Sequence, residues 1–433
     1  MRQKICMGVA LFIFVLSVFV FSVPGADAVP AFARQTGLSC STCHFQHYPA
    51  LNAFGRSFKS GGFTMVGGQS MIEGDMLYIP SVLNASIVLK LRYQKRNGDY
   101  YLDDDHNKVN DKIGLNKGEL QFPDEAALFL GGRIGEHVGF AYEMGLAGEN
   151  ADNFTSFKMP FVFDVAGMKL SAIPFNTDAL GVSFGFELLN TGAVRSQRVI
   201  EHRSEMSAQQ YIGTATPAEG IAFVAVNNMG FVNFSLWAPT HTGRDIGPMS
   251  NYLRIAATPA VGGWDLGGGL QWWGGTTKLE SPVSDLDAGQ YETHAWALDL
   301  QAQGQIGSMP IGVYITYANA EGGIDGDIKL FNCKDTNDDD LCDVNNPSDK
   351  TAWALIGELG VIPNKLTASL AYRSGDKGTA SKSEDTAITL GVTHNTAQNM
   401  QLQLNHSLYG GDANDPKPAG GDQLTTLMLF TAF

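Results

Sequence analysis

The sequence predicts an all-β fold: a transmembrane outer-membrane β-barrel of about sixteen antiparallel strands, with a short N-terminal segment ahead of it. Three observations carry this. From about residue 81 onward, short segments alternate apolar with small or polar residues. After Val23, no run approaches the ~20 apolar residues of a spanning helix. The chain also ends in a strand, Leu424 to Phe433, whose last residue is aromatic.

In chain order, residues 1–28 have the pattern of an export signal. Arg2 and Lys4 precede the apolar run Ile5 to Val23, and Ala26-Asp27-Ala28 gives an A-x-A cleavage site. Export places the remainder in an oxidising compartment, where Cys333 and Cys342 can pair.

Residues 29–75 form the next unit. It contains Cys40-Ser41-Thr42-Cys43-His44, a C-x-x-C-H run. That spacing lets two thiols form thioethers to one haem c, with the following histidine beneath the iron. Half of a zinc site would call for a second CxxC, and the sequence has none. One motif means one covalent haem. The segment is too short for an independent cytochrome core, and a covalent group can act as its staple. It either plugs the barrel lumen or hangs below it.

Residues 76–433 carry the barrel. Leu83, Ala85, Ile87, Leu89, Leu91 and Tyr93 share one parity; Asn84, Ser86, Lys90 and Arg92 take the other. Trp296, Leu298 and Leu300 oppose Asp299, Gln301 and Gln303. A strand with one apolar face and one small or polar face suits a wall between lipid and a wet or plugged lumen. Short turns are expected at Gly131–Glu136, Asn227–Gly230, Pro363–Lys365 and Asn395–Asn399. Long extracellular loops are expected near 95–118, 190–219, 239–250, 275–290, 321–350, 374–384 and 410–422. Four strands fall before Val165, a fifth within 168–189, and eleven from Ile221 to the end. Loop 190–219, with Arg195, Arg198, His202, Arg203 and Glu205, folds inward as a constriction or stays extracellular; both readings stand at this stage.

The stretch Val29-Pro-Ala-Phe-Ala-Arg-Gln-Thr-Gly37, the C-x-x-C-H run, and Phe45-Gln-His-Tyr-Pro-Ala-Leu-Asn-Ala-Phe-Gly-Arg-Ser-Phe-Lys59 closely resembles the fused monohaem cytochrome–porins of iron-oxidising bacteria. The resemblance covers about thirty residues. It implies covalent haem at Cys40 and Cys43 and proximal ligation by His44. It also implies a ferrous-iron oxidase of the bacterial outer membrane, passing electrons from extracellular Fe(II) to a periplasmic cytochrome or other carrier.

The distal ligand is not given by the motif. His47 lies on the same side as His44 if that stretch is helical, which suits a supporting or propionate-binding role. Met65, Met71 and Met76 are the distal candidates. Arg56 and Lys59 are candidates for the propionates, and Phe32, Phe45, Tyr48, Phe54 and Phe58 for the apolar pocket. The loop Cys333 to Asp343 carries oxygens at Asp335, Asn337, Asp339 and Asp343, as in EF-hand-like calcium loops. It departs from them at Asp340, where Gly is expected. Calcium binding and a disulfide-pinned acidic loop both fit.

The formal charge of −15 argues against a nucleic-acid partner, while membrane lipid is implied by the barrel. No nucleophile–base constellation or phosphate-binding glycine loop is present. An outward conduit to extracellular acceptors, or a porin with a structural or sensory haem segment, are the alternatives to iron oxidation.

Overall fold

The computed structural model describes residues 30–98, 101–102, 108–109, 118–148, 154–193, 199–200, 202, 207–241, 247–278, 290–334, 344–418 and 420–433. Its main body is a closed barrel of sixteen antiparallel strands. These are β1 Ala85–Arg96, β2 Glu119–Gly135, β3 Val138–Gly148, β4 Phe154–Lys158 continued as Phe161–Val165, and β5 Met168–Thr177. Then follow β6 Ala218–Val226, β7 Gly230–Ala238, β8 Ser250–Ala257 continued as Ala260–Val261, β9 Trp264–Gly274, β10 Ala295–Ile306 and β11 Met309–Ala320. The last five are β12 Lys350–Ile362, β13 Leu366–Asp376, β14 Glu384–Ala397, β15 Met400–Gly410 and β16 Gln423–Ala432.

Two strands are interrupted at Pro160 and Pro259, because proline has no N–H to give the ladder. Each strand pairs with its sequence neighbour, and β16 closes on β1 in the register Ala432↔Val88 to Leu424↔Arg96. Phe433 extends the seam: its N–H donates to the Ile87 carbonyl at 3.0 Å, and the Ile87 N–H donates back at 2.7 Å.

The alternation has its expected consequence. Leu298 and Leu300 are 48% and 61% exposed on the outside, while Asp299 and Gln301 between and beyond them are 3% exposed in the lumen. The same parity runs through Phe223, Ile255, Leu355, Leu390 and Leu404 outside and Asn233, Arg254, Gln403 and Asn405 inside. A closed ring satisfies every strand's backbone partners, and an apolar outer band needs hydrocarbon around it. The molecule is therefore a bacterial outer-membrane barrel. Its short turns define the periplasmic end and its long loops the extracellular end.

The strand tally of four, one and eleven matches the sequence reading. Boundaries differ in places. β2 continues through the expected turn at Gly131–Glu136 and ends at Gly135. The fifth strand stops at Thr177, so the connection expected at 190–219 begins earlier, at 178.

The described residues of that connection lie in the lumen, which favours the inward reading for them. Leu189, Ile200 and Ile212 are at most 1% exposed. His202 lies between Ser407 Oγ at 2.6 Å from Nδ1 and Thr426 Oγ1 at 2.7 Å from Nε2. Deeper in, Arg254 on β8 binds Glu187 of the loop at 2.9 Å and Asp299 on β10. Thr191 donates to Asp299 at 2.5 Å. Arg195, Arg198, Arg203 and Glu205 lie outside the described residues, as do the signal region, Asp103–Asp105 and the calcium candidates Asp335, Asn337, Asp339 and Asp343. Cys333 is disulfide-bonded, in line with the expected pairing, and Cys342 is also outside the described residues.

The N-terminal segment lies inside the barrel at its periplasmic end. It comprises helices α1 Ala31–Thr36, α2 Cys40–Cys43 and α3 Ala53–Ser60. Gln35, fully buried, joins segment and wall: its Oε1 accepts from Asn84 Nδ2 at 3.1 Å and from the Arg133 N–H at 3.0 Å. Gly139 on β3 permits the approach, since a Cβ there would lie 1.8 Å from the Gly62 carbonyl oxygen. A small hairpin, Met71–Gly74 with Leu77–Pro80, leads on to β1.

Candidate functional site

The C-x-x-C-H run forms one turn, α2, followed by a tight return. The His44 N–H donates to the Cys40 carbonyl at 2.9 Å, and the Phe45 N–H to Ala50 at 2.8 Å. Asn52 caps α3 by accepting from the Gly55 N–H at 2.9 Å, and its Nδ2 donates back to Thr42 at 3.0 Å. Gly55 lets α3 press on the motif, because a Cβ there would be 2.2 Å from the Cys43 carbonyl oxygen. The constriction loop clasps the return from above. The Leu51 N–H donates to Asn190 Oδ1 at 2.8 Å, and Asn190 Nδ2 donates to the Leu51 carbonyl at 3.0 Å.

Cys40, Cys43 and His44 border one cavity of about 640 Å³. Its walls come from the segment (Phe32, Phe58), from the barrel (Phe129, Phe430) and from the loop (Phe184, Leu189). That size is within the range of small-molecule and cofactor sites. Cys40 Sγ sits 3.3 Å from the Gln398 carbonyl, on the periplasmic turn between β14 and β15. Burial raises both thiols above their ordinary values. Burial pushes the His44 imidazole down to about 4, against the pull of the Ala50 and Pro49 carbonyls on its proton. At neutral pH His44 is thus a neutral lone-pair donor, as metal ligation requires. Its Nδ1 is buried without an aligned hydrogen-bond partner among the described residues.

These residues fit a covalent haem: two thiols and a neutral histidine in sequence, at the edge of a largely apolar cavity. The other expected residues separate clearly. His47 is 3% exposed; its Nδ1 meets the Tyr48 carbonyl at 3.0 Å and its Nε2 lies 3.3 Å from Glu358. Burial lowers its pKa, but the Glu358 carboxylate outweighs burial and raises it. Arg56 turns away from the cavity to Asp265, 2.6 Å away on β9. Lys59, Phe32, Tyr48 and Phe58 line the cavity, and Phe45 and Phe54 do not. Met65, Met71 and Met76 are off its wall, Met76 being wholly exposed, whereas Met400 borders it. Sequence reasoning missed Lys158, Glu187, Phe184, Phe430 and Met400. They come from distant strands and from the inward loop.

A second group offers metal-ligand atoms. Glu292, His294 and Glu321, near the extracellular end, place them within 4.8 Å of one another. Lys329 Nζ already bridges the two carboxylates at 2.5 and 3.1 Å.

No family profile and no curated protein matches the chain. Among solved structures, it is similar to the outer membrane channel DcaP of Acinetobacter baumannii, with TM-score 0.50, 11% identity, and coverage of 81% of this chain and 97% of that one. Also found were Salmonella typhi OmpF in complex with daunomycin (TM-score 0.47, 10% identity, 84% and 100% covered). Outer-membrane-expressed OmpT of Vibrio cholerae followed (TM-score 0.43, 11% identity, 84% and 100% covered). At such identity the likeness to DcaP concerns the fold alone, and it agrees with the closed porin-type barrel read from the strands.

Proposed function

We propose that this chain is an outer-membrane electron conduit of the fused cytochrome–porin type. It would oxidise extracellular Fe(II) through one covalent haem c and hand electrons to a periplasmic carrier. The observation that supports this most is the apolar cavity meeting Cys40, Cys43 and His44 inside the barrel. A haem c held there would supply reversible one-electron transfer. The chain's own residues do the rest. Cys40 and Cys43 would fix the group at the periplasmic mouth. His44 presents a neutral nitrogen. The aromatic walls would limit water around it, and the described residues of the constriction loop lie in the lumen above. Acidic residues in the connections at the other end would raise the local concentration of cations.

The test is anaerobic stopped-flow mixing of oxidised purified protein with Fe(II). Reduction of the haem bands is expected. Bands that stay oxidised, but in the reduced protein are reoxidised by ferric acceptors, would turn the conduit outward. Absence of covalent haem, with steady conductance to small solutes in a planar bilayer, would leave a porin, the role its barrel fold also allows.

A further inference from the structure

Two lysines face the cavity from opposite origins, and their charges have little to answer them. Lys59 comes from the last turn of α3, and Lys158 from the lumen face of β4. Lys158 is 7% exposed. Its Nζ donates once, to the Phe184 carbonyl at 2.8 Å, and rests 4.0 Å from the centre of the Phe184 ring. The Lys59 ammonium makes no hydrogen bond or ion pair among the described residues; Glu187 only attracts it from a distance.

Glu187 is already engaged. It accepts from Arg254 at 2.9 Å and from the Leu188 and Leu189 N–H groups at 3.0 and 2.8 Å. Glu143 and Lys365 are the other charged residues on the described cavity wall, with Tyr48, Tyr142, His44 and His47 as its titratable neighbours. Two ammonium groups in a largely apolar cavity repel each other, and an unpaired buried charge is costly. The arrangement calls for an occupant with an apolar body and two carboxylates on one edge.

We propose that Lys59 and Lys158 bind the two propionate carboxylates of the haem, pointing that edge into the lumen. This deepens the function proposed above and rests on it. The orientation follows from the two ends of the cavity. Cys40 lies against the periplasmic turn at Gln398, while Lys158 lies beside the inward loop at Phe184. The thioether edge therefore faces the periplasm and the carboxylate edge faces the extracellular side.

The test uses the full-length holoprotein with Lys59→Met, Lys158→Met, the double variant, and Lys→Arg at each site. Covalent haem is measured by its pyridine complex, barrel assembly by heat-modifiable migration, and midpoint potential by titration across pH. The Met variants should keep covalent haem and the wild-type spectrum. Their midpoint potential should fall at alkaline pH, since less positive charge opposes the ferric state. The carboxyl titration in the potential should move to higher pH, because an opposite charge no longer favours ionisation. Arg should restore both.

A double variant with haem, wild-type potential and wild-type pH dependence overturns the inference. Loss of the wild-type spectrum in either Met variant also overturns it, by making that lysine an iron ligand. If the double variant does not assemble, the single variants give the same readings. Wild-type protein without covalent haem would instead end the functional reading itself.

Discussion

At the scale of the residue, His44 differs from its neighbours in what it can do alone. In the proposed haem site the thiols of Cys40 and Cys43 would attach the group, whereas the imidazole would set the iron's electronic character. His44→Ala is expected to keep covalent haem and the barrel while shifting the midpoint potential and spectrum away from wild type. An unchanged potential would show that another group ligates the iron. Cys40→Ala with Cys43→Ala should abolish covalent haem staining on a denaturing gel, and staining that persists would refute the attachment. These three residues stand out in the sequence because Cys40 to His44 is one short window that holds the whole motif. Lys158 was not legible: it lies far along the chain from the motif, on a strand that the sequence marks only as one more alternating segment. Arg56 was misplaced for a related reason. Its positive charge is visible in the sequence, but its partner Asp265 is brought near only by the ring of strands.

Elements follow the same logic. Period-two alternation survives in any wall between lipid and lumen, so strand number and parity could be read residue by residue around Trp296 to Gln303. The inward loop has no such signature. Leu188 and Leu189 pack against the interior like core residues, yet Glu187 beside them is polar, which in sequence resembles a solvated loop. What holds it inward is the buried Arg254–Glu187–Asp299 cluster. Removing one partner of such a cluster strands the remaining charges, at a cost of about 3–5 kcal/mol. Arg254→Leu should therefore lower the temperature at which the folded band converts to the unfolded one, and it should raise conductance in planar bilayers as the loop loosens. Wild-type conductance with a wild-type transition temperature would show that the loop is held by its apolar contacts alone.

Across the whole molecule, closure of the ring is the organising event. Purified protein should migrate faster unboiled than boiled and give a mainly β circular-dichroism spectrum. Deletion of Phe433 should reduce the folded band, because the Ile87–Phe433 pair completes the seam; full assembly without it would show the seam to be secure at Ala432. The seam also has a bearing on how the molecule is made. Ser86 and Val88 of β1, together with Phe430 and Ala432 of β16, form part of the cavity wall, and Tyr48 of the N-terminal segment stacks on Phe430 with ring centres 5.0 Å apart. The residues that would receive the cofactor are thus synthesised and exported first, and the wall that encloses them arrives last. Attachment of the proposed haem could then take place on an open segment, and the final strand would close over it. If the proposed haem is present, its enclosure by the seam implies that loading precedes closure, and a closed barrel would shield Cys40 and Cys43 from attachment.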